Sequence, residues 1–188
     1  MDTSSNSSWL GMLQKPLVKK APYAITMPFR DITQGWAKAP SHAFLDLVHH
    51  YSNVYRKAEA SSKPIIYPTS DTYLVFCRSE NACRAVLAGP RSLPRIGEYV
   101  TDDTDYFVVS LSYMGSYALL PVMQYELTDK SFDLADIFPK WAPELAERIC
   151  QAPGINLKVD LFEKFLHKHG DKLAECNSDF VHVINTVS

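Results

Sequence analysis

The spacing of apolar residues changes twice along the chain. From Ser41 onward, Phe44, Leu45, Leu47, Val48 and Tyr51 fall at i, i+3, i+4, i+7 intervals, and Ser41 suits an N-cap. This spacing predicts a helix over about 41–50, and the alternation from Tyr51 to Ala58 predicts a strand after it. Between 64 and 112 the period is two. Ile65-Ile66-Tyr67 is a short strand closed by Pro68, and Thr72 to Cys77, β-branched and aromatic, is the strongest strand signal in the chain. Ala82 to Leu87, Gly97 to Val100 and Tyr106 to Leu111 follow, with turns at Gly89-Pro90 and Asp102-Asp103. Beyond 113 the period becomes helical. Short helices are expected at Gly115 to Met123 and at Asp133 to Phe138. Another starts at Pro143, carries Leu145, Ala146 and Ile149 on one face and stops before Pro153. A last one is capped by Asn156, carries Val159, Leu161, Phe162, Phe165 and Leu166, and is ended or interrupted by Gly170.

Strands in one half and helices in the other argue for an α+β fold. Short strands broken by turns imply an antiparallel sheet that must sandwich or close into a barrel to cover its faces. The expected organisation is an N-terminal arm over 1–40, a barrel-like domain with a leading helix over 41–112, a helical portion over 113–176, and the start of a linker or further domain over 177–188. Within the arm, Ser4 to Ser8 are polar, while Trp9, Leu10, Met12, Leu13 and Leu17 are apolar. Pro16, Pro22 and Pro28 preclude one long regular element there, leaving a loosely attached tail or a dimer-exchanging arm as the two readings.

With 188 residues, 46% of them apolar, the chain is long enough to bury a substantial core. A net charge of −2 with 21% charged residues offers no basic face to nucleic acid, so a protein of this kind acting on DNA would make its contacts through another part. No apolar run approaches the roughly 20 residues that cross a bilayer, and Met1 to Ser8 lacks the features of a signal peptide. A cytoplasmic location is the expectation. Cys77, Cys83, Cys150 and Cys176 form no tight pair and are expected to be reduced thiols, a redox-sensing pair being the other reading.

Catalytic signatures are missing. His42, His49, His50, His167, His169 and His182 all lie outside the β region 64–112, where a cupin metal site would need them, so no metal and no cofactor are expected. No strained nucleophile turn and no glycine-rich phosphate loop occur, and Asp102, Asp103 and Asp105 sit in a turn. Aromatic residues are plentiful instead. Tyr73, Phe76, Tyr106 and Tyr113 lie on or beside strands and have the apolar body, and for tyrosine the polar tip, that suits a ligand pocket; core filling is the bland alternative. On the strand at 72–77, Tyr73, Val75 and Cys77 share one face, and Leu74 and Phe76 the other. Arg84, Arg91 and Arg95 flank the Gly89-Pro90 turn, where they serve either an anionic ligand or surface ion pairing. The candidate ligand residues are therefore Tyr73, Phe76, Arg84, Arg91, Tyr106 and Tyr113.

Six segments between Ser41 and His169 carry a further pattern. They are Pro68-Thr69-Ser70-Asp71-Thr72-Tyr73-Leu74-Val75-Phe76; Gly89-Pro90-Arg91-Ser92-Leu93-Pro94; Tyr106 to Leu111 followed by Gly115 to Leu120; Glu126-Leu127-Thr128-Asp129; Leu134-Ala135-Asp136-Ile137-Phe138; and Leu161-Phe162-Glu163-Lys164-Phe165-Leu166. In order and spacing they resemble an N-terminal domain of AraC-type transcription regulators. The chain departs from that pattern at Ser110, where an arginine is common, and at Tyr113-Met114-Gly115, where a Pro-Gly-Gly type turn is usual. The resemblance implies a cupin-like β-domain that senses a small-molecule effector, a helical dimerisation portion, and DNA contact only through a C-terminal helix-turn-helix part. The apolar run from Phe180 to Val187 looks like the point where that part begins. Leu161, Phe162 and Phe165 are the candidate homodimer contacts, with packing on the barrel as their alternative role. Two other functions compete with this non-enzymatic one: a metal-dependent cupin-like enzyme, and an interaction domain with no ligand pocket.

Overall fold

The computed structural model describes residues 34–56, 65–79, 82–96, 104–120 and 124–175. Among them the strands are β1 (Gln34–Lys38), β2 (Val48–Arg56), β3 (Ile65–Ile66), β4 (Thr72–Arg78), β5 (Cys83–Ala88), β6 (Arg95–Ile96), β7 (Thr104–Leu111) and β8 (Ser131–Asp133). The helices are α1 (Tyr113–Leu119), α2 (Gln124–Leu127), α3 (Leu134–Ile137), α4 (Ala142–Gln151) and α5 (Gly154–Glu175). Six strands pair antiparallel in the order β1-β2-β7-β4-β5-β8, and β3 pairs with β6 separately. The result is an α+β fold built on an open six-stranded sheet. Among the described residues no helix is long and apolar enough to cross a membrane.

The helix expected over 41–50 is a short 3-10 turn, His42–Phe44, followed by β2 from Val48. A register shift between Val48 and His50 explains the misreading. The extra residue of a β-bulge lets Val48 and Tyr51, three apart, both face the core, so a bulged strand imitates helical spacing. Residues 34–38, placed in the arm, form a strand that among the described residues lies at the sheet edge and pairs with β2. The turn of helix expected over Asp133 to Phe138 is α3, with Asp133 as its N-cap and Phe138 as its C-cap. Asp133 also ends β8, and its Oδ1 accepts from Ala135 N at 2.8 Å. α5 starts at Gly154 rather than after Asn156 and continues through Gly170, a mid-helix glycine costing only about 1 kcal/mol. The readings at Gly97 to Val100, over residues 1–28 and over 177–188 lie outside the described residues.

One face of the sheet is covered by helices. Tyr51, Leu74, Phe76, Ala85, Leu87, Phe107, Val109 and Leu111 meet Leu145, Ala146 and Ile149 of α4 and Val159, Phe162 and Leu166 of α5. The Phe162 ring stands edge-on to Tyr51 and Phe76, with centroids 6.0 and 6.1 Å away. Beside it, Trp141 stacks on Phe138 at 4.3 Å and leans on Phe165 at 4.4 Å. Two glycines permit close backbone contacts. A Cβ on Gly115 would stand 1.8 Å from the Leu47 carbonyl oxygen, and one on Gly89 2.0 Å from that of Leu127. Ser112 completes the first junction, its Oγ capping α1 at Gly115 N and donating to the Asp46 carbonyl.

A buried ion pair also fixes α5. Lys158, 2% exposed, donates to Asn53 Oδ1 at 2.8 Å and to Asp105 Oδ2, while Asn53 Nδ2 donates to Asp105 Oδ1 at 2.7 Å. Removing either partner strands the other charge, but the ammonium left by loss of Asp105 is 2% exposed, whereas the carboxylate left by loss of Lys158 is 27% exposed and meets water. Asp105→Ala is expected to cost about 3 kcal/mol and Lys158→Met less than that. Urea unfolding of the two variants checks the ordering, and an equal loss from both contradicts it.

Candidate functional site

The opposite face of the sheet is built of different chemistry. Register places His50, Ser52, Val54 and Arg56 of β2, Thr104, Tyr106, Val108 and Ser110 of β7, and Tyr73, Val75 and Cys77 of β4 on that one face. Arg84, Val86 and Ala88 extend it along β5. Tyr73, Tyr106, Val54 and Val108 form its apolar centre, with Val75, Cys77 and Ala88 packed against them. Ser52, Arg56, Thr104 and Ser110 are buried among them. Side chains with polar tips are expensive to bury in a purely packing interior, and here they converge on one surface.

Burial shapes the electrostatics of this face. It pushes the Tyr106 phenol up to about 12, against the opposing pull of Thr104 and Arg56. It also raises Tyr73 and the Cys77 thiol, and it lowers His50 by disfavouring the imidazolium. At one end, Tyr73 Oη and Thr69 Oγ1 are 3.1 Å apart, and Ser110 Oγ donates to Asp71 Oδ2 at 3.0 Å. His49 Nδ1 approaches the same carboxylate oxygen at 3.7 Å. Serine, aspartate and histidine thus meet with the carboxylate in the middle, so the imidazole does not take the serine proton, and Ser110 is fully buried. That order is not the one that activates a nucleophile.

The structure divides the candidate ligand residues. Tyr73 and Tyr106 lie together on the polar face, joined in register through Ser110 and Cys77. Arg84 pairs with Cys77 at the margin of that face. Arg91 is buried beside it, donating to Ser131 Oγ from a bridge to Thr69. Phe76 belongs to the opposite, helix-covered core, because the pleat turns it away from Tyr73. Tyr113 is 68% exposed at the start of α1, clear of the face. Among the candidate dimer contacts, Phe162 is 1% exposed inside its own protomer's core and closed to a second copy, while Leu161 and Phe165 are partly buried. The residues overlooked were Ser52, Arg56, Thr104 and Ser110; their signal was polar residues at alternate positions in strands otherwise apolar.

A second feature lies on the helix side. A cleft of about 550 Å³ runs between β5 and α4, lined by Arg78, Cys83, Arg84, Ala146, Glu147 and Cys150, among others. Cys83 and Cys150 form a disulfide across it, which corrects the expectation of reduced thiols; Cys77 is free. The pair are 67 residues apart in sequence, and only the packing of α4 on β5 brings them together. Among the described residues no group of three or more His, Cys, Asp or Glu side chains is placed to hold a metal ion. No protein-family model, curated protein or solved structure matches the chain.

The raised Tyr106 phenol has a stability consequence. Its neutral form is favoured in the folded state, so its contribution is complete below pH 10 and is lost as pH rises through about 12. Stability is expected to fall across that window, and Tyr106→Phe to flatten the fall. Urea midpoints between pH 9 and pH 12 check this; identical profiles for the two proteins contradict it.

Proposed function

We propose that this chain is the effector-sensing, dimer-forming part of a cytoplasmic AraC-type transcription regulator, with DNA contact made by a separate helix-turn-helix part. The sheet serves as one wall of a cupin-like barrel, and a small-molecule effector lies against its polar face. The carrying observation is the buried face on which Tyr73, Tyr106, Ser110, Thr104 and Arg56 converge. Phenol and hydroxyl tips among valines orient a ligand by a few hydrogen bonds while the apolar remainder supplies affinity. The order of elements supports the family reading, and so does contact between two of the resembling segments. Gly89 N donates to the Lys130 carbonyl at 3.1 Å, Asp129 N to the Pro90 carbonyl at 2.8 Å, and Ser92 N to Asp129 Oδ1 at 3.0 Å. The Ser92 donors hold the Asp129 carboxyl below the usual carboxylate range. Sensing, rather than turnover, fits the Ser110–Asp71–His49 group, in which the serine makes no contact with the imidazole.

An effector that binds one arrangement of a dimer better than another shifts the equilibrium between them. Leu161 and Phe165 remain available to a helix-mediated dimer at the margin of the core. The test is a thermal-shift screen of small metabolites against the full chain, repeated on a Tyr73→Phe/Tyr106→Phe double variant. A hit at 100 times its Kd is expected to stabilise the chain by about 2.7 kcal/mol, and the double variant is expected to weaken binding about ten-fold or more while remaining folded. A folded chain that no compound stabilises favours an interaction domain without a ligand.

A further inference from the structure

Most of what holds α4 to the sheet is apolar packing: Ala142, Leu145, Ala146 and Ile149 are buried in the common core. The Cys83–Cys150 bond is added to an interface that already has its own core, unlike the disulfides of small domains that cannot build one. Its two sulfurs are also unlike. Cys150 is 4% exposed in the last turn of α4, whereas Cys83 is exposed at the start of β5, and both line the open cleft. One guanidinium group reaches the disulfide. Arg78, the register partner of Cys83, donates from Nη1 to the Cys150 carbonyl oxygen at 3.2 Å, whereas the charge of Arg84 acts on Cys77 across the sheet. A cation beside a cysteine favours the thiolate and therefore makes a disulfide easier to open.

We propose that Cys83–Cys150 is a reversible thiol–disulfide site, opened by a dithiol reductant that enters the cleft at Cys83, and that its redox state sets how firmly α4 is held to β5. A thiolate of the dithiol attacks Cys83 Sγ, the sulfur–sulfur bond breaks, and its electron pair leaves on Cys150 Sγ. The second thiol of the reductant then attacks its own sulfur in the mixed disulfide and releases Cys83 as a thiolate. The dithiol is oxidised to a disulfide, and two electrons and two protons pass to the cysteine pair. An oxidised dithiol reverses each step.

The test uses the full chain in buffers of reduced and oxidised dithiothreitol, with alkylation of the free thiols read by peptide mass. Cys83 and Cys150 are expected to become labelled together along one two-electron curve, with no loss of far-UV circular dichroism. Amide exchange over 142–151 is expected to accelerate about ten-fold or more on reduction while 104–111 stays protected. A Cys83→Ser/Cys150→Ser variant is expected to stay folded and to show the fast exchange in either buffer. Resistance of the pair to dithiothreitol until the chain is denatured overturns the proposal, as does collapse of the sheet signal on reduction or in the double variant, since the bond is then a staple. Unchanged exchange over 142–151 after complete reduction overturns it as well, because the bond then controls nothing.

Discussion

The antiparallel seating of β7 between β2 and β4 is the constraint on which both interiors depend. Along it, Phe107, Val109 and Leu111 point to the helices, and Thr104, Tyr106, Val108 and Ser110 point the other way. A strand has a side-chain period of two, so a slip of one residue would exchange these sets. Aromatic rings would then meet the polar face, and hydroxyls would enter the aromatic cluster around Phe162. Stacking of Tyr51 on Phe107 at 5.9 Å and of Phe76 against Phe107 at 6.0 Å holds the register from both flanks. The Asn53–Asp105–Lys158 network adds a polar check, because the ammonium of α5 finds its partners in only one register.

The polar face and the helical face therefore carry different chemistry on one set of strands. Aromatic packing with α4 and α5 gives the sheet rigidity, and that rigidity presents Tyr73 and Tyr106 at fixed spacing. Tyr51 shows the same division within a single residue. Its ring packs in the core while its hydroxyl donates to Glu163 Oε1 at 3.3 Å, and burial with that carboxylate drives the phenol pKa far upward. Glu163 also accepts from Ser41 N at 2.8 Å, so α5 is tied to the chain entering β2 as well as to the sheet.

Much of the fold was legible in the sequence because the strands at 72–78 and 104–111 obey a strict alternation over β-branched and aromatic residues. The pairing of Tyr73 with Val75 and Cys77 on one face followed from that period alone. Where a bulge intervened, at Val48 to Tyr51, the same signal imitated a helix, since periodicity records which residues are buried and not the backbone that buries them. The edge strands β1 and β8 escaped notice because an edge with one partner needs no continuous apolar face. Phe76 was grouped with Tyr73 by its aromatic type although the same alternation sets it on the other face, and Tyr113 lies beyond the strand at the start of α1. The disulfide was invisible for a related reason: sequence spacing does not report that the last turn of α4 lies over the first residue of β5.

β5 joins the two interiors most closely. Cys83 and Arg84 are consecutive, so the pleat sends the sulfur toward α4 and the guanidinium toward the polar face. On the partner strand Arg78 and Cys77 repeat this split, Arg78 reaching the Cys150 carbonyl while Cys77 packs beside Tyr106. Among the described residues β5 is paired on one side with β4 and on the other with the three residues of β8, whereas β7 lies between two long strands. Under the two proposals, a change in how α4 bears on β5 would reach the margin of the tyrosine face across the thickness of one strand. The same geometry works in reverse: a ligand that shifts Arg84 would alter the seat of Cys83, and coupling of this kind is reciprocal by thermodynamic necessity.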